Sequence, residues 1–385
     1  MEIICNQNEL NNAIQLVSKA VSSRPTHPIL ANILLTADQG TNKISLTGFD
    51  LNLGIQTSFD GTVKNSGAIT IPSRLLSEIV NKLPNETPVS LEVDENSENI
   101  LIRSDRGSYN LKGIPSDDYP NLPFVESGTS LNIDPSSFLK ALKSTIFASS
   151  NDDSKQLLTG VNFTFKKNYL ESASTDGHRL AVALIGNEEN IDTKDNFSSN
   201  EENLSVTIPT RSLREIEKLV TLRSSENSIK LFYDKGQVVF ISSNQIITTR
   251  TLEGTYPNYS QLIPDTFSKI FNFNTKKLID ALERIAVLAD QQSSVVKFKL
   301  DNTDLASISA DAQDVGNANE SIPVAYSGED FDIAFNVRYL LEGLKVISCE
   351  NVILKCNLST TPAVFVPEDN INSFTYLVMP VQVRS

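Results

Sequence analysis

Histidine and cysteine are scarce in this chain, with two of the first and three of the second among 385 residues. With no C-x-x-C or H-E-x-x-H spacing either, no ligand set for a transition metal presents itself. The cysteines, Cys5, Cys349 and Cys356, are odd in number and far apart, and two sit in alternating apolar runs. They read as reduced, mostly buried thiols of a cytoplasmic protein. No run of 18 apolar residues occurs, which excludes a transmembrane helix. The opening MEIICNQNEL has no basic stretch ahead of a long apolar one, so no signal peptide is expected. Phosphate-cradling G-x-x-x-x-G-K-[ST] and G-x-G-x-x-G loops are missing, as is the nucleophile elbow G-x-S-x-G. Nucleotide-driven and acyl-transfer chemistry therefore lack support, and no cofactor is implied.

What is present is a repeat. The chain is too long for one domain of the usual ~100–200 residues, and its apolar content, 39%, suffices for a sizeable core. ITIPSRLLSEIVNKL (69–83) recurs as VTIPTRSLREIEKLV (206–220) and as IAFNVRYLLEGLKVI (333–347). Arg74, Arg211 and Arg338 fall in register, each followed four residues later by Glu78, Glu215 or Glu342. Upstream, each copy opens with a strand and a helix. Alternating strands ending at an aspartate follow: SLTGFD (45–50), LESASTD (170–176), ASISAD (306–311). The fold class is α+β: three repeated domains, each with two helices on antiparallel sheets. The proline-containing joints DDYPNLP (117–123) and TYPNYSQLIP (255–264) place the borders at 1–126, 127–265 and 266–385. The acidic stretch 186–203 has no periodicity and reads as a mobile surface loop.

Six helices are expected, over 7–22, 72–84, 135–147, 209–220, 275–289 and 336–347. Their apolar stripes are Leu10, Ala13, Ile14 and Val17 in the first, Phe138, Ala141 and Leu142 in the third, and Leu278, Ala281, Leu282 and Ile285 in the fifth. The opposite faces are mostly basic, carrying Arg74 and Lys82; Lys140 and Lys143; Arg211, Arg214 and Lys218; Lys277 and Arg284; Arg338 and Lys345. The helices together sum to about +6 in a chain of net charge −14, so the remainder carries about −20. For one helix alone, a solvated face with Arg–Glu pairs four residues apart explains this. Recurrence in register across three copies points instead to one surface presented to a polyanion. Lys and Arg would meet phosphates there with no base-reading code, and the acidic remainder would repel DNA elsewhere.

The triple repeat, RPTHPILANILL (24–35), STDGHRLAV (174–182), the YPNY joint and the ending YLVMPVQV (376–383) resemble the bacterial sliding clamp family, the beta subunit of DNA polymerase III, over essentially the whole chain. The resemblance implies a head-to-tail homodimer forming a six-domain ring around double-stranded DNA, bound without sequence preference. It implies no catalytic residue, no metal and no cofactor: the chain would be a non-catalytic processivity factor. The implied partners are the DNA polymerase III alpha subunit, a clamp loader and other clamp-motif proteins (repair polymerases, ligase, mismatch repair), with no membrane. Partners of the family dock short peptides in an apolar pocket between the second and third domains. Matched here, its walls are Leu158, Thr175, Gly177, His178, Arg179 and Leu180, then Pro257 and Leu262, then Val378, Met379, Pro380 and Val381. The implied dimer contact sets Arg103, Arg106, Tyr109 and Leu111 against Val287 and Leu288, with Asp314 or Glu320 as acidic partners; Tyr109 and Leu111 fit the domain's own core equally well. Arg24 resembles a channel residue. Gln261, Ser293, Gln382 and the terminal Arg384-Ser385 depart from the commoner pattern and bear on fine peptide preference.

Two rivals remain. Asp176 and His178 as an acid–base pair would make an enzyme, but no nucleophile accompanies them. A repeat scaffold that binds only proteins would share the fold and the pocket yet need no DNA channel. Retention on circular DNA, lost on linearisation, separates that alternative from a clamp.

Overall fold

A computed structural model describes the chain except residues 23, 95–97, 126–127, 167–168, 187–202, 223–228, 235, 243, 290–292, 301–303, 313–314, 327–328 and 383–385. Nearly all of the acidic stretch 186–203 lies outside the described residues.

Six α-helices are described: α1 (Gln7–Val17), α2 (Ser73–Val80), α3 (Pro135–Thr145), α4 (Thr210–Leu222), α5 (Thr275–Ala289) and α6 (Val337–Leu344). Asn or Asp at the end of the preceding strand starts four of them. Asn6, Asp134, Asn274 and Asn336 each accept a hydrogen bond from an amide of the first turn, at 2.8–3.1 Å. Such a cap is worth about 1 kcal/mol. The expected stripes are the buried ones in α1, α3 and α5. Four expected helices end early: α2 at Val80 and α6 at Leu344, while α1 tightens into a 3-10 turn over Ser18–Ala20, where the Ser18 hydroxyl donates to the Ile14 carbonyl at 2.6 Å, and α3 does so over Ile146–Ala148.

The three copies share one strand plan. The opening strand of each pairs antiparallel with the strand after its second helix: Ile3 opposite Leu91, Leu131 opposite Leu231, Phe271 opposite Leu354. The strand before the second helix pairs with the first strand of the middle group: Leu35 opposite Ile69, Phe163 opposite Val206, Phe298 opposite Ile333. Sheets also run on from copy to copy. Strand Gln245–Arg250 of the second copy lies beside Leu53–Asp60 of the first, and strand Phe374–Val378 of the third beside Arg179–Ile185 of the second.

The contacts divide the chain into two compact units. Of the described residues, one holds those within 1–133 and 214–251, the other those within 134–186, 203–213 and 252–382, so the division falls inside the second copy and inside α4. The first unit contains sheets of five and eight strands. There α1 packs on α2: the Gln7 side-chain Nε2 donates to the Val80 carbonyl at 2.7 Å, and the Ser18 and Ser73 hydroxyls lie 3.1 Å apart. Gly48 lets the end of α1 touch its sheet, because a Cβ there would come within 2.2 Å of the Val17 carbonyl oxygen.

The second unit is built on a twelve-stranded sheet. Its core packs Phe273, Phe298, Phe335, Phe365 and Tyr376 in a chain of ring contacts, edge-on as far as Phe365 and tilted between Phe365 and Tyr376. Gly343 of α6 sits on Tyr376, where an added Cβ would lie 2.1 Å from the ring. All three cysteines are free thiols. Burial pushes Cys5 and Cys356 up to about 12, so they stay protonated and unreactive at neutral pH.

Candidate functional site

Strand pairing in the second unit brings together several of the residues expected to line a peptide pocket. Arg179 lies opposite Val378 and Leu180 opposite Leu377, and the Met379 amide prolongs the ladder by donating to the His178 carbonyl at 2.9 Å. Val381 is then held by its amide on the Ala334 carbonyl at 2.8 Å. The hairpin that presents His178 is an aspartate turn. Asp176 Oδ1 accepts from the His178 and Arg179 amides at 2.8 and 3.1 Å, and Gly177 takes φ +94°. Thr175 closes it, its hydroxyl donating to the Arg179 carbonyl at 2.6 Å and accepting from the Gly177 amide at 3.1 Å.

The joint after the second copy is tied to the same turn, since the Thr175 amide donates to the Tyr256 hydroxyl at 3.1 Å. That places Pro257, exposed, beside it. Tyr259 and Ile263 cover an apolar cluster of Leu180, Val182, Val364 and Leu377. Leu262 (54% exposed) and Met379 (37%) leave apolar surface open to solvent, whereas Leu180 and Val378 are buried. Leu158, half-buried in the 3-10 segment Asp153–Thr159, anchors that segment through its carbonyl to the Ser150 amide at 2.8 Å, and Pro380 is half-buried.

Arg179 is the buried charge of the region. Its guanidinium donates to Asp176 Oδ2 at 3.1 Å, to Glu342 of α6 and to the Phe147 carbonyl at 2.7 Å, and it lies 4.4 Å from the Tyr339 ring centre. Burial opposes its charge, but Tyr376, Glu342 and Asp176 more than offset this and hold its pKa above the ordinary value. Arg179 therefore positions the hairpin against α6 and Phe147. Sequence reasoning carries no signal for its partners Glu342, Phe147 and Tyr339; of Tyr256, which holds the Thr175 amide, only the YPNY joint is a signal.

All twelve basic positions expected to face DNA are exposed. Arg74 pairs with Glu78, Lys218 with Glu215, Arg284 with Glu320 through two hydrogen bonds, and Lys345 with Glu283, all at 2.6–2.9 Å. Arg211 and Arg338 also make contacts within the chain. Arg24, Lys82, Lys140, Lys143, Arg214 and Lys277 have no acidic partner within 4 Å among the described residues. The recurrent Arg and Glu four apart form an ion pair in α2, while Glu342 reaches Arg179.

Strand Gly107–Lys112 lies at the outer edge of the five-stranded sheet. Tyr109 and Leu111 stand opposite Ile102 and Ile100, so they share the core face, yet at the edge Tyr109 stays 39% exposed. Arg106 is exposed, and Arg103 pairs with Glu92 of the neighbouring strand. On α5, Val287 is 67% exposed and Leu288 half-buried. Glu320 is engaged by Arg284 of its own copy, and Asp314 lies outside the described residues. Among the described residues no three metal-ligating side chains cluster, and no helix is long and apolar enough to cross a membrane.

Residues 1–123, 132–258 and 260–382 match, in turn, the N-terminal, central and C-terminal domains of the DNA polymerase III beta subunit. Among characterised proteins, the chain is 46% identical to the beta sliding clamp of Synechococcus elongatus and 40% to that of Synechocystis, with full coverage of both chains in each case. Bacillus subtilis has a beta sliding clamp 32% identical over 99% of this chain and all of its own. The fold superposes along its whole length on the crystal structure of the DNA polymerase sliding clamp from Bacillus subtilis, with TM-score 0.90 at 28% identity. For the DNA polymerase III beta subunit of Thermotoga maritima the TM-score is 0.87 at 26% identity, again with full coverage.

Proposed function

Because the chain belongs to the DNA polymerase III beta subunit family, the beta sliding clamps, and is thus a non-catalytic processivity factor of DNA replication, we propose that it works as a head-to-tail homodimer whose three domains per copy, bordered near 126 and 265, close a ring around duplex DNA in the cytoplasm.

One observation carries this reading. At both junctions within the chain, the last strand of one copy of the repeat pairs with the third strand of the preceding copy's middle group. Continued once more, the rule calls for Gly107–Lys112 of one chain beside Gly316–Ala325 of another. Gly107–Lys112 pairs only with Asn99–Ser104 among the described residues, and the Gly316–Pro323 part of the other strand pairs only with Leu305–Ala312. Two complementary edges are left open, as a heterologous contact that closes requires. Tyr109 and Leu111 extend the apolar core across that edge, Val287 and Leu288 receive them, and Arg103 and Arg106 orient the approach.

Inside the ring, the exposed lysines and arginines of the helices would touch phosphates singly. Such contacts hold DNA without a fixed register, so the ring can slide. On the second unit, an extended peptide from the polymerase alpha subunit, the clamp loader or a repair protein would seat apolar side chains against Leu262, Met379 and the Leu180 cluster. Sedimentation equilibrium tests the ring: a dimer of about 85 kDa, twice the chain's 42.3 kDa, should persist on dilution. A monomer at micromolar concentration would leave an open arc and favour the protein-only scaffold.

A further inference from the structure

The three-fold internal repeat places a second turn of the same design in the first unit. Asp50 Oδ1 accepts from the Asn52 and Leu53 amides at 3.0 and 2.7 Å, as Asp176 does for His178 and Arg179. The Arg250 amide donates to the Asn52 carbonyl at 3.0 Å, as the Met379 amide does to the His178 carbonyl. A 3-10 segment precedes the neighbouring strand in both units, Pro28–Ala31 here and Asp153–Thr159 there. The joint Tyr119-Pro120-Asn121 repeats Tyr256-Pro257-Asn258. Leu51 thus corresponds to Gly177, and Pro120 to Pro257.

These counterparts enclose a groove of about 550 Å³, walled by His27, Leu30, Leu51, Ile114, Asp118 and Pro120. Ile29 and Leu30, which line it, belong to a buried apolar cluster with Phe49 and Tyr119. Leu51 is the telling residue. It holds φ 75°, a region that suits the glycine found at the matching turn, and still leaves its side chain 38% exposed beside the groove. Ile114, 37% exposed, faces the same space. Arg250 stands where the second unit has Met379, so the apolar wall here depends on Leu51 and Ile114.

Charge sets this groove apart from its counterpart. Asp118 lines it, with Asp117 next in sequence; both are exposed, and neither has a cation within 4 Å among the described residues. We propose that this groove is a second peptide-docking site, and that it takes an extended segment of a partner protein in which apolar side chains are followed by a lysine or arginine that meets Asp118. The inference rests on the proposed peptide pocket of the second unit for its mode of binding, and on the first unit's own cavity for its place and charge preference.

The test is fluorescence anisotropy on the full chain with two labelled octapeptides that differ at one position, one with a Leu-Leu-Lys core and one with Leu-Leu-Glu. The lysine peptide should bind the wild-type chain more tightly, and Asp118→Lys should invert the preference by about fivefold. Leu51→Gly should weaken lysine-peptide binding about tenfold without lowering the melting temperature, since glycine suits the turn. In a Met379→Glu chain, where the second unit's pocket is impaired, Leu51→Gly should still weaken the lysine-peptide binding that remains. No binding of the lysine peptide at millimolar concentration, no response to Leu51→Gly, or loss only in Met379→Glu would each overturn the proposal. So would a mass above the dimer that Leu51→Gly removes, because a second copy would then be the occupant. If instead Met379→Glu leaves glutamate-peptide binding intact, the reading of the second unit's pocket falls, while Leu51→Gly still judges this one.

Discussion

Replacing Arg179 by methionine keeps an unbranched apolar stem and removes the charged head. The loss can be counted from the structure: one hydrogen bond to Asp176, one to Glu342, one to the Phe147 carbonyl, and the packing on Tyr339. A hydrogen bond that involves a charged group contributes about 1.5–3 kcal/mol, and a cation over an aromatic ring about 0.5–2 kcal/mol. Glu342 is half-exposed and would rehydrate, which removes much of its share. Asp176, at 14%, and the Phe147 carbonyl have less access to water. The net cost should be about 3–4 kcal/mol, near that of breaking a buried ion pair. For a cooperative unit of some 200 residues this lowers the melting temperature by about 6–16 °C. Thermal and urea unfolding followed by circular dichroism would measure it. Arg179→Lys should recover less than half, because an ammonium cannot reach three diverging acceptors in one plane. A loss below about 1 kcal/mol, or full rescue by lysine, would refute the reasoning that Arg179 clamps the hairpin to α6.

Gly343→Ala should cost at least about 2 kcal/mol and broaden the unfolding transition, since the new methyl meets Tyr376; wild-type urea stability would show that α6 can shift aside. Tyr109→Asp with Leu111→Asp should convert the dimer to monomers in sedimentation equilibrium, and an unchanged mass would remove these residues from the interface. The Arg284–Glu320 pair should be fully formed at neutral pH. Hydrogen bonding to the Arg284 guanidinium holds the Glu320 carboxyl below its ordinary 4.5. Its contribution is therefore present above that value and lost as the pH falls through the lower folded-state pKa. Carboxyl NMR should find Glu320 titrating below the ordinary 4.5, and a value at or above it would contradict the pairing. Lys140→Glu with Lys143→Glu should shorten the time a loaded ring stays on circular DNA while leaving the dimer mass intact; equal retention would take α3 off the DNA path.

Much of this was legible because local rules and the tertiary fold agree. The stripes of α1, α3 and α5 predicted which faces are buried, and strand alternation predicted the sheets. Helix ends were read too long, since side-chain periodicity continues through the 3-10 turns at Ser18–Ala20 and Ile146–Ala148. The aspartates closing SLTGFD and LESASTD were visible as turn signals and form matching turns, but in the third copy the strand Leu305–Ala312 runs past Asp311. Long-range partners left no trace in sequence. Nothing near Arg179 announces Glu342, 163 residues away, and Glu342 is spaced as if to pair along its own helix. The match between the Leu51 and Gly177 turns appears only once hydrogen bonds are compared, because leucine hides a conformation that glycine would advertise.

The central claim is topological: a closed ring keeps the protein on DNA without a tight site. Its most direct measurement is retention on singly nicked circular DNA after clamp-loader action, followed by a restriction cut. The account predicts that the protein co-elutes with the circle and is released within the time needed to slide off the cut ends, at moderate salt and with no sequence preference. Retention that survives linearisation, or absence from the circle in the presence of an active loader, would contradict it.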